Sequence, residues 1–437
     1  EQGTYEAESK GTTTFALTST VVGTVTQVDA YDYTNTTEQK LTAGANAAAN
    51  DRFGESVAVS GDYAIAGARS DPGEAGAGNG AAYIFVRNGT SLTRQARIVA
   101  SDGASSDQFG YSVAIDGDYA IVGAPGDDSA GSAYIFLRSG TSWAQQAKLT
   151  PGDGASSDNF GSSVSISGNY AIIGAYGDDS STGAAYIFLR SVTSWAQQVK
   201  LTASDAASND RFGWGVSISG NYAVIGAPNN NSAYIFLRDG ASWGDEQIIT
   251  ASDVSAGDNF GNSVAIVGDD MIVGSRYGDS VVSDAGSAYV FKRSGTSWSE
   301  QSILKAGDIV NSDYFGESVA IYGDYAIVGA PYKNSYTGAV YIFNRTGTNW
   351  TQQAKIIASD GASSDFFGKS VAIYGDYVFS GSFGDDDGGS NSGAAYIYIA
   401  PNTIPKLTHD GYKLVVKNIT PTSTTLKYGS NTYEIGT

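Results

Sequence analysis

This 437-residue chain has no cysteine, one histidine (His409) and one methionine (Met271). Without thiols it can build no disulfide framework, no cysteine-based zinc or iron–sulfur site and no cysteine nucleophile. A serine–histidine–aspartate triad would have to use His409, which reads as a surface residue near the C-terminal end. Proline is sparse, at 8 residues. Cations are also few: 25 Lys and Arg face 45 Asp and Glu, a formal net charge of -20. That balance argues against a phosphate-backbone binder, which needs clustered Lys and Arg. No run approaches eighteen consecutive apolar residues, so no membrane span is expected. No basic stretch followed by an apolar one opens the sequence. The expectation is that a leader has been removed or that the sequence begins internally.

Glycine is abundant, at 56 residues, and aromatics make up 12%. Together with plentiful Tyr, Ile, Val and Ser this points to many short strands and turns. Length alone suggests two or three domains, but an internal repeat overrides that prior. Phe-Gly recurs at Phe53, Phe109, Phe160, Phe212, Phe260, Phe315 and Phe367, each followed by Gly. About fourteen residues after each Phe comes Gly-Ala or Gly-Ser, from Gly67-Ala68 to Gly381-Ser382. Within one copy, Ser112 to Ile115 alternates as a half-buried strand does. Gly117-Asp118 then makes a two-residue turn suited to positive φ. Tyr119 to Gly123 is the returning strand, Ala133 to Arg138 the third and Trp143 to Leu149 the fourth. Seven such units in series predict an all-β, seven-bladed β-propeller of four-stranded antiparallel blades.

The Phe-Gly pairs, with Gly-Ala-Pro at Gly123-Ala124-Pro125, Gly226-Ala227-Pro228 and Gly329-Ala330-Pro331, resemble the FG-GAP repeat. The chain is in this respect similar to the propellers of integrin α subunits and their bacterial and fungal relatives. The resemblance covers about residues 36–400 and implies a fold more than a function. Each Phe is expected between blades, and each Gly where neighbouring backbone approaches closely. Trp143, Trp195, Trp243, Trp298 and Trp350 share one repeat position, which Leu92 takes in the first copy. They are read as packing on an outer strand, with a ligand-stacking ring as the alternative.

The last copy has three strands and lacks a fourth. Residues 36–43, which resemble the fourth strand of other copies, are assigned to complete it and close the ring. This leaves a β-rich N-terminal extension, 1–35, that could donate a strand, and a C-terminal one, 401–437, with strands expected at 412–417, 424–428 and 432–435. Phe15, Leu17, Val21, Val22, Leu414, Val416 and Leu426 are the candidate assembly residues. They could pack in cis or add to a neighbouring copy of the chain, which would make an oligomer or filament.

Strand order places the loops between strands 2 and 3 and between blades on one face, and that face is rich in acid. The inter-blade loops carry paired aspartates: Asp102/Asp107, Asp153/Asp158, Asp205/Asp210, Asp253/Asp258, Asp308/Asp313 and Asp360/Asp365. These are candidate cation loops, with Ca²⁺ the suggested ion because hard cations take several oxygens. The competing reading has the second Asp accepting from nearby backbone N–H groups in an Asx-type turn. The resemblance implies an integrin calcium motif, Asp-x-Asp-x-Asp-Gly, in the loop between strands 1 and 2. Here that loop is only Gly-Asp or Gly-Asn, so those ligands are not carried over. The opposite face is mixed, with Arg87, Arg138, Arg190, Arg238, Lys292, Arg293 and Arg345 ending third strands beside turn acids. Asn35, Asn88, Asn230, Asn344, Asn349 and Asn418 lie in glycosylation sequons, relevant only where the source glycosylates them.

No catalytic set stands out, since exposed repeated carboxylates do not supply a pair with separated pKa values. The leading expectation is an extracellular or cell-surface, non-enzymatic structural or adhesive protein that self-assembles through its terminal strands. The alternative is a multivalent, lectin-like propeller binding glycans or surface proteins. A polysaccharide lyase or esterase is a third reading, without a recognisable catalytic group.

Overall fold

Each repeat folds into one four-stranded antiparallel sheet, and there are seven of them. The computed structural model describes residues 12–17, 21–72, 78–279, 284–408, 425–428 and 431–434, with the strands before Tyr31 and after Pro401 described by backbone alone. Blade 2 is representative. Its strands are Ser112–Asp116, Tyr119–Ala124, Ser132–Ser139 and Ser142–Leu149. The first alternates between buried and half-buried positions. The middle two are buried on both faces, because each sheet is sandwiched between neighbouring blades; Ile121, Val122, Tyr134 and Ile135 are all fully buried. Double burial explains why these strands read as continuous apolar runs. Phe109 packs edge-on against Tyr134 and Phe136 of its own blade and joins a cluster with Ile65, Ala82 and Ile84 of the blade before. The Phe of each Phe-Gly pair therefore fills the seam between blades, as expected.

Glycine is required where blades meet. Gly110 has φ +94°, and a Cβ on it or on Gly123 would collide with carbonyl oxygens of the adjoining strands. Beside these glycines runs a belt of serine hydroxyls. Ser56 Oγ donates to the Gly110 carbonyl (3.0 Å), Ser112 to Gly161 (2.8 Å) and Ser163 to Gly213 (2.8 Å). Ser263 donates to Gly316 (2.9 Å), Ser318 to Gly368 (2.8 Å) and Ser370 to Gly54 (3.0 Å). Blade 4 breaks the belt because Gly215 stands at its serine position.

A bulge in the outer pairing re-aims one side chain toward the next blade. In blade 2 the register shifts between Ile135 and Phe136, leaving Gln146 unpaired. Its Oε1 accepts from Trp195 Nε1 at 2.9 Å. The same bond joins Trp143 to Gln95, Trp243 to Gln198 and Trp350 to Gln301. Trp143 also meets Tyr63 edge-on at 5.9 Å. These tryptophans are seam residues, which accounts for their shared repeat position without a stacking ligand.

The last blade is Ser370–Tyr374, Tyr377–Ser382 and Ala394–Ile399, completed by Thr37–Leu41 from the N-terminal side. Gln39 exchanges two hydrogen bonds with the Leu92 backbone, at 2.8 and 2.9 Å, so the closing strand is tied to blade 1 as well.

Residues 37–398 form one compact unit, and 1–36 with 399–437 form another. In the second, Val21–Tyr31 pairs with Thr12–Leu17 on one side and Asn402–Thr408 on the other. The strand Asn402–Thr408 was not anticipated; it pairs with the N-terminal extension of the same chain. Thr425–Tyr428 and Asn431–Glu434 form a hairpin. Phe15, Leu17, Val21, Val22 and Leu426 lie in these strands. Leu414, Val416 and His409 lie outside the described residues.

Candidate binding site at the axial mouth

The paired aspartates come together in each inter-blade loop but do two different jobs. The second of each pair accepts a backbone N–H three residues earlier. Asp107 takes it from Ala104 (2.5 Å), Asp158 from Ala155 (2.7 Å) and Asp210 from Ala207 (2.7 Å). Asp258 takes it from Ser255 (2.8 Å), Asp313 from Val310 (2.8 Å) and Asp365 from Ala362 (2.7 Å). Burial raises Asp107, Asp158, Asp258 and Asp365 above the ordinary carboxylate range, despite that bond.

The first of each pair binds the tyrosine of strand three. Asp102 accepts from Tyr134 at 3.0 Å, Asp153 from Tyr186 at 2.9 Å and Asp205 from Tyr234 at 2.8 Å. Asp253, Asp308 and Asp360 accept from Tyr289, Tyr341 and Tyr396, each at 2.8 Å. In four blades a lysine ammonium adds the charge. Lys148 pairs with Asp102, Lys200 with Asp153, Lys355 with Asp308 and Lys40 with Asp360, at 2.6–2.8 Å. Lys200 chiefly holds Asp153 below the ordinary range. For Asp102, Asp308 and Asp360 burial opposes ionisation, and the lysine and tyrosine bonds outweigh it.

Among the described residues, one group of three acids lies close enough to hold a cation: Asp360, Asp385 and Asp387. Lys40 Nζ bonds all three, at 2.8, 2.7 and 2.6 Å. In the four lysine-bearing blades the first aspartate is thus held by lysine and tyrosine, and in each loop one oxygen of the second is held by backbone. Blades 4 and 5 depart from this, with Ile248 and Ile303 at the lysine position.

A different set of residues converges at the ring axis. A cavity of about 190 Å³ is lined by Tyr111, Ser162, Tyr176, Trp214, Asn262, Arg276, Glu317 and Lys369. These come from six blades, and only the axis is shared by six blades. Most are the residue directly after Phe-Gly. Across the seven copies that position holds Glu55, Tyr111, Ser162, Trp214, Asn262, Glu317 and Lys369. Its identity changes from copy to copy (glutamate alone occurs twice), while Phe and Gly never change.

Charge in this mouth is part-buried and paired. Lys369 Nζ donates to Glu317 Oε1, and Arg276 lies 3.5 Å from Glu317 Oε2. Burial opposes ionisation of Glu317, but Lys369 and Arg276 hold it below the ordinary range. In the adjoining first blade Arg69 pairs with Glu55 at 2.7 Å and lies over the Tyr111 ring, and burial raises the Glu55 carboxyl to about 7. Burial pushes the Tyr111 phenol up to about 12, so it stays protonated at neutral pH. Tyr176 and Trp214 pack at 4.8 Å, and Arg211 sits over Trp214.

The residue before each Phe-Gly takes a left-handed backbone in all seven copies, for example Arg52 at φ +58°, Tyr314 at +54° and Phe366 at +57°. Non-glycine residues rarely adopt it, and such conformations concentrate at functional sites. Several of these residues join a run of aromatic contacts across blades 5 to 7. Tyr277 meets Tyr314 at 4.9 Å, Tyr314 meets Tyr332 at 4.4 Å, and Tyr332 meets Phe366 at 5.6 Å. Phe366 stacks on Phe383 at 4.9 Å, with Arg52 over Phe383. Tyr336 contacts Tyr332 and Phe366 and is 47% exposed.

Sequence reasoning missed this mouth by treating Phe-Gly as purely structural. The available signal was the variability of the two flanking positions within a constant repeat.

The FG-GAP repeat profile matches residues 36–85, 92–136, 143–188, 195–236, 243–291, 298–343 and 350–398. No curated protein sequence matches the chain. Among solved structures, hydrazine synthase from Kuenenia stuttgartiensis is similar at 13% identity with a TM-score of 0.50, covering 78% of this chain and 95% of that one. A likeness at that identity concerns the fold alone.

Proposed function

The chain belongs to the FG-GAP repeat family, and from that premise we propose a non-enzymatic recognition protein, extracellular and adhesive or structural in role, whose axial mouth is its contact surface. The observation that carries this reading is the division of labour within the repeat. Its recurring residues go into joining blades: Phe in the seam and Gly at close approach in all seven copies, Ser in the belt in six and Trp on Gln in four. Its varying residues meet at one place. A rigid ring presenting a single unsymmetrical surface suits binding. The axial ion pairs hold the charged side chains of the mouth in place, Glu317 pairing with Lys369 and Arg276.

The test is adhesion of immobilised protein to extracellular surfaces, comparing wild type with a Trp214→Ala/Tyr336→Ala variant of unchanged melting temperature. Loss of adhesion in the variant supports the reading. Equal adhesion would contradict it.

Self-assembly rests on a separate observation. In the sheet of terminal strands, Thr12–Leu17 and Asn402–Thr408 each have one neighbour among the described residues. Open edges accept added strands. Light scattering and electron microscopy of the intact chain beside residues 37–398 test it: filaments from the intact chain alone support strand addition, and monomers at high concentration contradict it.

A further inference from the structure

The axial mouth combines a small charged cavity with an aromatic crescent beside it, and the two together narrow the ligand. The cavity is lined by two cations, Arg276 and Lys369, against one carboxylate, Glu317; nearby, Arg52 and Arg69 both pair with Glu55 and Arg211 lies over the Trp214 ring. The chain as a whole carries -20, whereas this lining has more cations than carboxylates. Glu317 takes one of the three ammonium hydrogens of Lys369 and only a 3.5 Å approach from Arg276. Both cations keep donors for a second anion. Trp214, Tyr176 and Tyr111 add flat faces and polar edges to the same cavity.

We propose that the axial mouth binds an acidic saccharide, its carboxylate set between Arg276 and Lys369 and its further sugar units lying on the crescent of Tyr332, Tyr336 and Phe366. A pyranose ring has C–H faces that pack on aromatic rings and edge hydroxyls that need donors and acceptors; this mouth offers both. An acidic protein side chain would use the cations but leave the crescent without purpose. A neutral sugar would use the crescent but leave the excess positive charge unanswered. The inference rests on the axial reading of function given above and names the ligand class for that site.

The experiment is isothermal titration of the intact chain with an oligogalacturonate hexamer, a neutral hexamer of glucose and hexaglutamate. Two variants avoid the axial ion pairs, Trp214→Ala in the cavity and Tyr336→Ala on the crescent, each checked for unchanged melting temperature. The oligogalacturonate should bind, weaken by about tenfold or more in either variant, and weaken as salt is raised. The neutral hexamer should bind at least about tenfold less tightly. Equal binding of the neutral hexamer, tighter binding of hexaglutamate, binding untouched by both variants, or no binding of the oligogalacturonate would each overturn the saccharide inference. Hexaglutamate binding that both variants abolish would do so while leaving the axial site standing, and adhesion that both variants leave intact would remove the site itself.

Discussion

Ser370 Oγ donates a 3.0 Å hydrogen bond to the Gly54 carbonyl, joining the last blade to the first across 316 positions of sequence. It is one of six equivalent links around the axis, and Gly215 is where the seventh is missing. A Cβ on Gly215 would meet nothing nearer than the Asn262 carbonyl oxygen at 3.4 Å. Gly215→Ser should therefore add the missing bond to the Gly261 carbonyl and restrict the unfolded chain, stabilising by about 1 kcal/mol. Ser370→Ala should destabilise by a similar amount. Thermal unfolding of both variants checks this; a Gly215→Ser protein that melts below wild type would refute the belt.

Lys40 links three aspartates of the closing blade from its fourth strand, which comes from the other end of the sequence. Lys40→Met leaves Asp385, which is 4% exposed, without its ammonium. We expect a loss of about 2 kcal/mol, below the value for a fully buried pair because Lys40 is part-exposed. Calcium should raise the melting temperature of Lys40→Met more than that of wild type, since the three acids then lack their resident cation. Equal calcium effects on the two proteins would argue against lysine as that occupant.

Asp51 is the counterpart of Asp107 in the first inter-blade loop, and burial pushes it up to about 6, with Asp71 nearby adding to the rise. The folded state then holds a proton that the unfolded state releases near the ordinary value of 3.8. Stability from this group is fully present below that value and is lost as pH rises through about 6. Asp51→Asn keeps an oxygen for the Ala48 N–H and removes the titration. The melting temperature of the variant relative to wild type should climb between pH 4 and pH 7; a flat difference would contradict the assignment.

The ring was legible because its physics repeats. Phe in the seam, Gly where backbones touch and Gly-Asp or Gly-Asn in the turn recur seven times, so coincidence cancels and the blade emerges. Closure by residues 37–41 was legible for the same reason, since Gln39, Lys40 and Leu41 match the fourth strand of other copies. What repeats does not reveal is which neighbour completes a pair. The paired aspartates look like cation ligands until Lys148 and Tyr134, distant in sequence, are seen to reach Asp102. The axial residues escaped for the opposite reason: they do not repeat, and nothing local marks Trp214, Arg276 and Lys369 as neighbours. The strand Asn402–Thr408 was missed because Pro405 interrupts its β pattern, which is tolerated at a sheet edge.

The central claim is that recognition occurs at the axis and not in the seams between blades. Hydroxyl-radical footprinting with the oligogalacturonate hexamer tests it most directly. The account predicts protection of Trp214, Tyr336 and Phe366, with Trp143, Trp195, Trp243 and Trp350 unchanged. Protection of the four seam tryptophans with the axial residues unchanged would contradict it.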